Sequence, residues 1–577
     1  MDANGLRTFS LHAQNVETQP AMEVLRAERP SRPGFAVAEA IGLRNLDPES
    51  AARQHLQQAL ASEALPGLEA PQVNGADSEF KSLGTESLPL TDTRTVKFRQ
   101  TYNKIPVYGS LVTVELTPDN ELLALRSSLG DPTNVDSVAQ ISPSEALKAV
   151  SQATQQSPQL SGATPRLSFY FDNSVRRWRL VYILEDVPVR SRRANGAEGH
   201  SPLLMDYVVD AHSGEMVAEL PRTPSVTWEA ATRKVEAPGA EGAPTFAAGP
   251  GTADAADGLG MPRSIRFIAD ATGRGTLNDR TLNVATFDFR FRDLDSSPLP
   301  GIPVTNPPAP WQASAVSAHF NAAEVAGFLR SVLARNGIDN SGGPLISSVN
   351  CVVADESPDG RQWRNAAWVG TQMVYGQRAV DGGLRSYAVA LDVVAHEIFH
   401  GVTGATARLE YVGETGALNE SYSDIFGILI SNFAEPDISR WNWEMGEELD
   451  GTGIPIRDFS EPRRRNQPDH MRDFRHLPND RQHDSGGVHF NSGIHNKAAF
   501  NLITSRDSHG VFLFTPTSLA ALFYLALSQY LSRTSLFSDS RAAIELVAQT
   551  LFRTDAQRAD KLRAIAAAFD AVGILQA

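Results

Sequence analysis

Two histidines four residues apart restrict this chain more than any other feature. His396-Glu397-Ile398-Phe399-His400 lies inside residues 391–402, where apolar side chains recur at helical spacing. Positions i and i+4 of a helix share a face, so both imidazoles project to one side, close enough to share a metal ion. Glu397 then points beside such an ion and can take a proton from bound water. Gly416-Ala417-Leu418-Asn419-Glu420-Ser421-Tyr422-Ser423-Asp424 puts a carboxylate on the next helical segment, after a loop long enough to fold back. Two imidazoles and one carboxylate leave a fourth position open, which is the arrangement of catalytic rather than structural zinc. A third histidine six residues after His400 would signal a different metal set, but that position is Thr406.

The chain has 577 residues, which predicts three or four domain-sized units. Its formal net charge of -15 argues against nucleic-acid binding, which needs clustered Lys and Arg. The short basic spots at 190–193 and 463–465 read as solvated loops. With one cysteine, Cys351, no intramolecular disulfide can form, and its apolar neighbours mark it as a core residue. No apolar run is long enough for a membrane span. Met1-Asp2-Ala3-Asn4-Gly5-Leu6-Arg7 lacks the basic-then-apolar pattern of a secretory signal, so another export route, a trimmed signal and action inside the cell all stay open.

Residues 1–74 carry a helical stretch near 48–63 and otherwise little pattern. From 96 to 116 two alternating runs flank Asn103-Lys104, a hairpin signal. A short helix is predicted from Pro143, with Ser142 as N-cap and Glu145 completing a capping box. Strand candidates follow at 167–171, 177–185 and 204–210. Residues 222–262 are dense in Pro, Gly, Ala and Glu with no apolar period, and predict a protease-accessible linker. Beyond it, strand-like runs surround one helix at about 314–335. Helical period then holds over 389–404, 416–433, 495–505, 518–531, 540–552 and 558–572.

The stretch from His396 to Asp424 resembles the zinc-binding core of the thermolysin-like metallopeptidases. Asp484-Ser485-Gly486-Gly487-Val488-His489-Phe490-Asn491-Ser492-Gly493 is similar to that family's second signature, and Asn365-Ala366-Ala367-Trp368 and Gln372-Met373-Val374-Tyr375-Gly376 to an upstream one. The resemblance implies a zinc endopeptidase, with Zn²⁺ held by His396, His400 and Glu420 and with Glu397 as general base. It implies that Tyr411 and His489 stabilise the oxyanion, with Asp484 orienting His489. Arg457, Asn365 and Ala366 correspond to groups that bind substrate backbone, and Val393 and Ile456 to positions lining a pocket for a bulky apolar residue after the cut. Asp424 and Asn419 correspond to the groups that fix the rings of His396 and His400. Asp392, Glu444 and Glu447 match calcium carboxylates, but Ser431 and Asn442 replace acidic groups of the paired site, so one Ca²⁺ at most is expected. Phe399 stands where the family usually has Thr.

Val96-Lys97-Phe98-Arg99-Gln100-Thr101-Tyr102-Asn103-Lys104-Ile105-Pro106-Val107-Tyr108-Gly109 and Met205-Asp206-Tyr207-Val208-Val209-Asp210 look like parts of the family's propeptide. The implied fold is α+β: an extension (1–74), an α/β propeptide module (75–222), a linker with the maturation site (223–262), a β-rich catalytic lobe carrying the zinc helix (263–405) and a mostly helical lobe (406–577). The propeptide is expected to act as inhibitor and folding aid and to be removed autocatalytically, with Thr245-Phe246 as a candidate bond. Peptides or proteins are the implied substrates, and the resemblance implies a secreted enzyme. A zinc aminopeptidase on a similar helix and a non-catalytic scaffold are the competing readings. The second signature speaks against the first, and the full set of key residues against the other.

Overall fold

A computed structural model of the protein describes residues 5–13, 43–60, 72–73, 76–154, 163–188, 204–223, 248–357 and 359–576. The N-terminal module opens with a seven-stranded sheet. Strands Leu6–His12, Leu122–Gly130, Leu111–Leu116, Thr93–Tyr102, Ala76–Leu88 and Gln72–Val73 lie side by side in that order, with Ile105–Pro106 paired to Thr93–Tyr102. The tight turn between these last two uses Asn103 and Lys104, both at positive φ (49° and 65°), as a primed hairpin turn requires.

Side chains alternate across a strand, and here the alternation separates two jobs. Val96, Phe98, Val112, Val114, Leu125 and Leu129 point to one face, where helix α1 (Pro48–Leu60) lays Ala52, Leu56 and Ala59 on them. Thr95, Lys97, Thr113, Glu115 and Arg126 have the opposite parity and meet the C-terminal lobe. The described residues before position 75 are therefore not an extension apart from the module. Leu6–His12 is its edge strand, in seven-residue antiparallel register with Leu122–Gly130, and α1 covers its core. A strand that pairs with residues more than a hundred positions away leaves no local signal.

Helix α2 (Pro143–Thr154) starts at the predicted capping box: Ser142 N donates to Glu145 Oε2 (2.7 Å) and Glu145 N to Ser142 Oγ (3.3 Å). It buries Ala146 and Val150 on a four-stranded antiparallel sheet ordered Met216–Pro221, Leu204–Asp210, Arg177–Pro188, Arg166–Asp172.

The stretch expected to be linker up to residue 262 ends in structure. Strand Ala248–Ala256 pairs along all nine residues with Pro262–Asp270, so the first catalytic lobe begins at 248 rather than 263. Small residues hid this strand: Gly251 accommodates the ring of Phe267, which an added Cβ would approach to 2.6 Å. Thr245-Phe246 lies outside the described residues. Beyond the hairpin, Val284–Asp288, Leu345–Val349 and Met373–Val380 run parallel, and Trp363–Trp368 closes the sheet as an antiparallel edge. Helix α3 (Ala313–Ser331) packs on it, and α4 (Leu391–Ala405) follows.

The second lobe is built from α5 (Gly413–Ser431), α6 (Asp484–Ile503), α7 (Pro516–Leu525), α8 (Phe537–Leu551) and α9 (Arg558–Asp570). The helix expected over 518–531 ends early as α and widens into a π turn, Ala526–Tyr530. Carbonyls at a helix end lack partners, and the N-terminal module supplies donors: Lys97 Nζ reaches Ser528 O (2.6 Å) and Thr113 Oγ1 reaches Gln529 O (2.7 Å). Beside them, the buried carboxylate of Glu115 accepts from Tyr530 Oη (2.6 Å), Thr550 Oγ1 (3.1 Å) and Thr93 Oγ1 (2.8 Å). Arg126 pairs with Asp539 at 2.7 Å, both buried.

Removing one partner of a buried ion pair costs about 3–5 kcal/mol. Arg126→Ala is therefore expected to lower the urea midpoint for loss of the docked N-terminal module, and an unchanged midpoint would contradict the interface described. A second expectation concerns His495, buried in the helical lobe between Ser421 Oγ (2.7 Å) and Ser540 Oγ (3.0 Å). Burial pushes its pKa from 6.5 down to about 3. The neutral ring is thus favoured on folding, and its stabilisation is present above pH 6.5 and lost as pH falls from there towards 3. At pH 5 the loss is about 2 kcal/mol, from 1.5 pH units at ~1.4 kcal/mol each. Urea titrations of the parent and His495→Gln at pH 7 and pH 5 would measure it, and the variant should show the smaller drop.

Candidate metal centre and active site

Helices α4 and α5 carry the centre, and small and flat side chains let them come together. Gly427 lies so near the backbone of α4 that a Cβ would stand 2.9 Å from Asp392 O. Phe399 stacks on Phe426 with ring centroids 3.8 Å apart and planes 8° from parallel. The departure from Thr at 399 thus serves the packing between the two helices and lies off the ligand face.

His396, His400 and Glu420 are all buried, and they form the one group of three such side chains, among the described residues, whose ligand atoms lie within 4.8 Å of one another. The two Nε2 atoms are 3.0 Å apart, and Glu420 oxygens stand 3.6 Å from His396 Nε2 and 3.3 Å from His400 Nε2. Each ring is held from behind. His396 Nδ1 meets Asp424 Oδ1 at 2.8 Å, and His400 Nδ1 meets Asn419 Oδ1 at 2.9 Å. Asn419 Nδ2 donates to Leu409 O (3.1 Å), so its oxygen faces His400 and Nδ1 of that ring carries the proton. Both Nε2 lone pairs are then turned to the same point, which suits a divalent cation of the zinc type. Burial lowers the pKa of His396, which favours the neutral imidazole a metal requires. Burial alone would raise Glu420, but His489, His396 and His400 outweigh it and hold the carboxyl well below its usual range.

Glu397 sits inside the same helix turn, buried, and Oε2 accepts the Trp368 backbone N–H at 3.0 Å. That donor belongs to edge strand Trp363–Trp368, whose register shifts between Trp363 and Ala366. The general-base candidate and the candidate substrate-binding strand are therefore tied together.

Helix α6 brings in His489. Asp484 to Gly487 all have positive φ, so the regular helix starts at Val488. Gly486 is forced: a Cβ there would lie 2.5 Å from Asn479 Oδ1 and 2.9 Å from Gly413 N. The coil turns Asp484 back on His489, with Oδ1 2.5 Å from Nδ1 and Oδ2 accepting His489 N at 2.9 Å. Burial disfavours the imidazolium, but Glu420 and Asp484 win and lift the pKa to about 9. Tyr411 Oη donates to Glu420 Oε1 and lies 3.2 Å from His489 Nε2.

Arg457, expected at the substrate backbone, is buried and paired with Glu420 Oε2 and Asp424 Oδ2, both at 3.1 Å. Those two carboxylates keep the guanidinium charged against the effect of burial. Val393 is fully buried in the core shared by both lobes, and Ile456 is partly exposed. Asp392 accepts from Gly446 N (2.9 Å) and Val393 N (2.6 Å). Burial first, and Glu447 second, raise Asp392 to about 8. Asp392, Glu444 and Glu447 form no three-ligand group of the kind found at the histidines, among the described residues. Three partners were missing from the sequence reading: Trp368 N–H, Ser423 Oγ at 3.0 Å from His400 Nδ1, and Asn496 Nδ2 at 2.8 Å from Asp424 Oδ2. Asn496 stands seven residues after His489, two helical turns on, which is the one local signal among them.

Known proteins share this layout. Residues 256–404 match the catalytic domain of thermolysin metallopeptidases, 407–574 their α-helical domain, and 78–129 the fungalysin/thermolysin propeptide motif. Bacillolysin of Bacillus subtilis subsp. amylosacchariticus is 31% identical over 520 residues, covering 86% of this chain and 87% of the relative. Thermolysin of Bacillus sp. (strain EA1) is 32% identical over 533 residues, covering 87% of each. Neutral protease NprE of Bacillus pumilus is 37% identical over 338 residues, 57% of this chain and 100% of its own length. A likeness that runs in one order through the propeptide and both catalytic lobes, over a His-His-Glu centre, places the chain in the thermolysin family, as a zinc-dependent metalloendopeptidase carrying its propeptide.

Proposed function

We propose that this enzyme cuts peptide bonds before bulky apolar residues, using Glu397 as base and His489 with Tyr411 as oxyanion donors, and that it removes its own propeptide. The observation that carries the reading is Glu397 held by Trp368 N–H beside three convergent ligands. His396, His400 and Glu420 would hold the zinc ion, which when bound polarises water and the scissile carbonyl. Glu397 takes the proton of the attacking water and passes it to the departing amine nitrogen. His489, kept protonated by Asp484 and Glu420, donates to the oxyanion, and Tyr411 Oη leaves Glu420 to do the same.

An extended substrate can add to the edge strand Trp363–Trp368 at Asn365 and Ala366. Arg457 then has a double task. It neutralises Asp424 and Glu420 from behind, and by the family resemblance it also serves a substrate carbonyl. Ile456 and Val393 favour an apolar side chain after the cut. Asp392, which is buried, and Glu447, which is partly buried, repel each other and support one bound Ca²⁺ at most. The propeptide fits an inhibitor's place: Val412, next to Tyr411, packs on its four-stranded sheet with Tyr170, Val181 and Val208. Among the described residues no helix is long and apolar enough to cross a membrane, and the family resemblance favours export.

Glu397→Gln should keep one zinc per chain while casein hydrolysis falls by about 10²–10⁴. It should also leave the chain unprocessed between the two modules. Identical N-termini on the matured parent and this variant would show that another protease makes the cut. Asp424→Asn removes the charge behind His396, and zinc affinity is expected to fall about 10–100-fold in competition with a chromophoric chelator. An unchanged affinity would mean that Asp424 orients nothing.

A further inference from the structure

The seam between the modules holds a cavity of about 230 Å³ whose wall is charged unevenly. The N-terminal module contributes Lys97, Arg99 and Arg166, and the catalytic region Arg408 and Arg533, against a single lining carboxylate, Glu185. That carboxylate is divided among three guanidinium groups. Arg533 contacts it closely, Arg166 lies at 3.7 Å and Arg408 at 4.0 Å. Acids just outside the wall have claims of their own: Asp186 is 3.4 Å from Arg408 and 3.6 Å from Arg222, Asp206 is 3.7 Å from Arg533 and 3.6 Å from Arg222, and Glu86 is 3.8 Å from Lys97. Arg99 is exposed and, among the described residues, forms no ion pair.

We propose that this cavity binds a multivalent inorganic oxyanion, with phosphate the simplest, bridging the propeptide and the catalytic region. Guanidinium forks match tetrahedral oxyanions, and the charge-assisted hydrogen bonds they form are the strong ones. The positive groups also strain one another. After burial, Arg533 is the chief influence holding Arg99 and Arg408 below the ordinary arginine range, and a bound anion relieves that repulsion. Because both modules supply cations, the anion strengthens docking of the propeptide and delays its departure once the connecting segment is cut.

The test uses the full-length Glu397→Gln chain, which keeps the two modules joined. Inorganic phosphate is titrated calorimetrically at constant ionic strength, with chloride as the replaced anion. One saturable site per chain is expected. Arg99→Ala with Arg166→Ala should weaken it at least about tenfold, since each loses a charged contact. Both side chains reach the surface, so circular dichroism of the variant should match the parent, and Arg99→Lys alone should retain most of the affinity. Absence of saturable binding by the parent overturns the proposal. So does equal affinity in the double alanine variant, which would put the anion elsewhere.

Discussion

Two imidazoles and a carboxylate converge with their side chains buried, and the surrounding structure is arranged to keep them there. Left to themselves, such groups would be expensive to bury. Their outer atoms are each engaged: Asp424 behind His396, Asn419 and Ser423 behind His400, Arg457 behind Glu420. Those partners are anchored in turn, Asp424 by Asn496 and Arg457, and Asn419 by Leu409 O. The Phe399–Phe426 stack and Gly427 set how closely the two helices approach, and so set where the ligands meet. A metal is the natural centre of this arrangement, because the ligand atoms of His396, His400 and Glu420 already converge.

Much of this centre could be read from residue order, because its parts are local. Four-residue spacing on an amphipathic helix, a carboxylate one helix later and the glycine-rich approach to His489 are all short-range signals. What stayed hidden depends on distance or on the backbone. Trp368 contributes an amide, which no side-chain motif announces. Leu6–His12 finds its partner strand across more than a hundred residues, and Glu115 meets Tyr530 over 415 positions. Strand Ala248–Ala256 lacks apolar periodicity, so it reads as linker although its backbone pairs throughout. Arg457 aligns with a substrate-binding group, but nothing in its neighbourhood reveals the two carboxylates it also neutralises.

The join between the modules follows a different logic from the cores on either side of it. One face of the seven-stranded sheet is greasy and closed off by α1, and the other is a row of hydroxyls and charges. Gln529 alone accepts from Thr95 and Thr113 and donates to Glu86. Directional bonds of this kind align two surfaces without the large apolar area of a permanent interface. They also give the end of the π turn Ala526–Tyr530 the donors that an isolated helix terminus would seek from solvent.

That division of faces has a consequence for what happens after separation. On the seven-stranded sheet the freed surface would carry groups that water can satisfy at once, whereas the four-stranded sheet would uncover the smaller apolar patch of Tyr170, Val181 and Val208 that Val412 covers. The discarded piece keeps its own helix-covered core and can leave as a folded body.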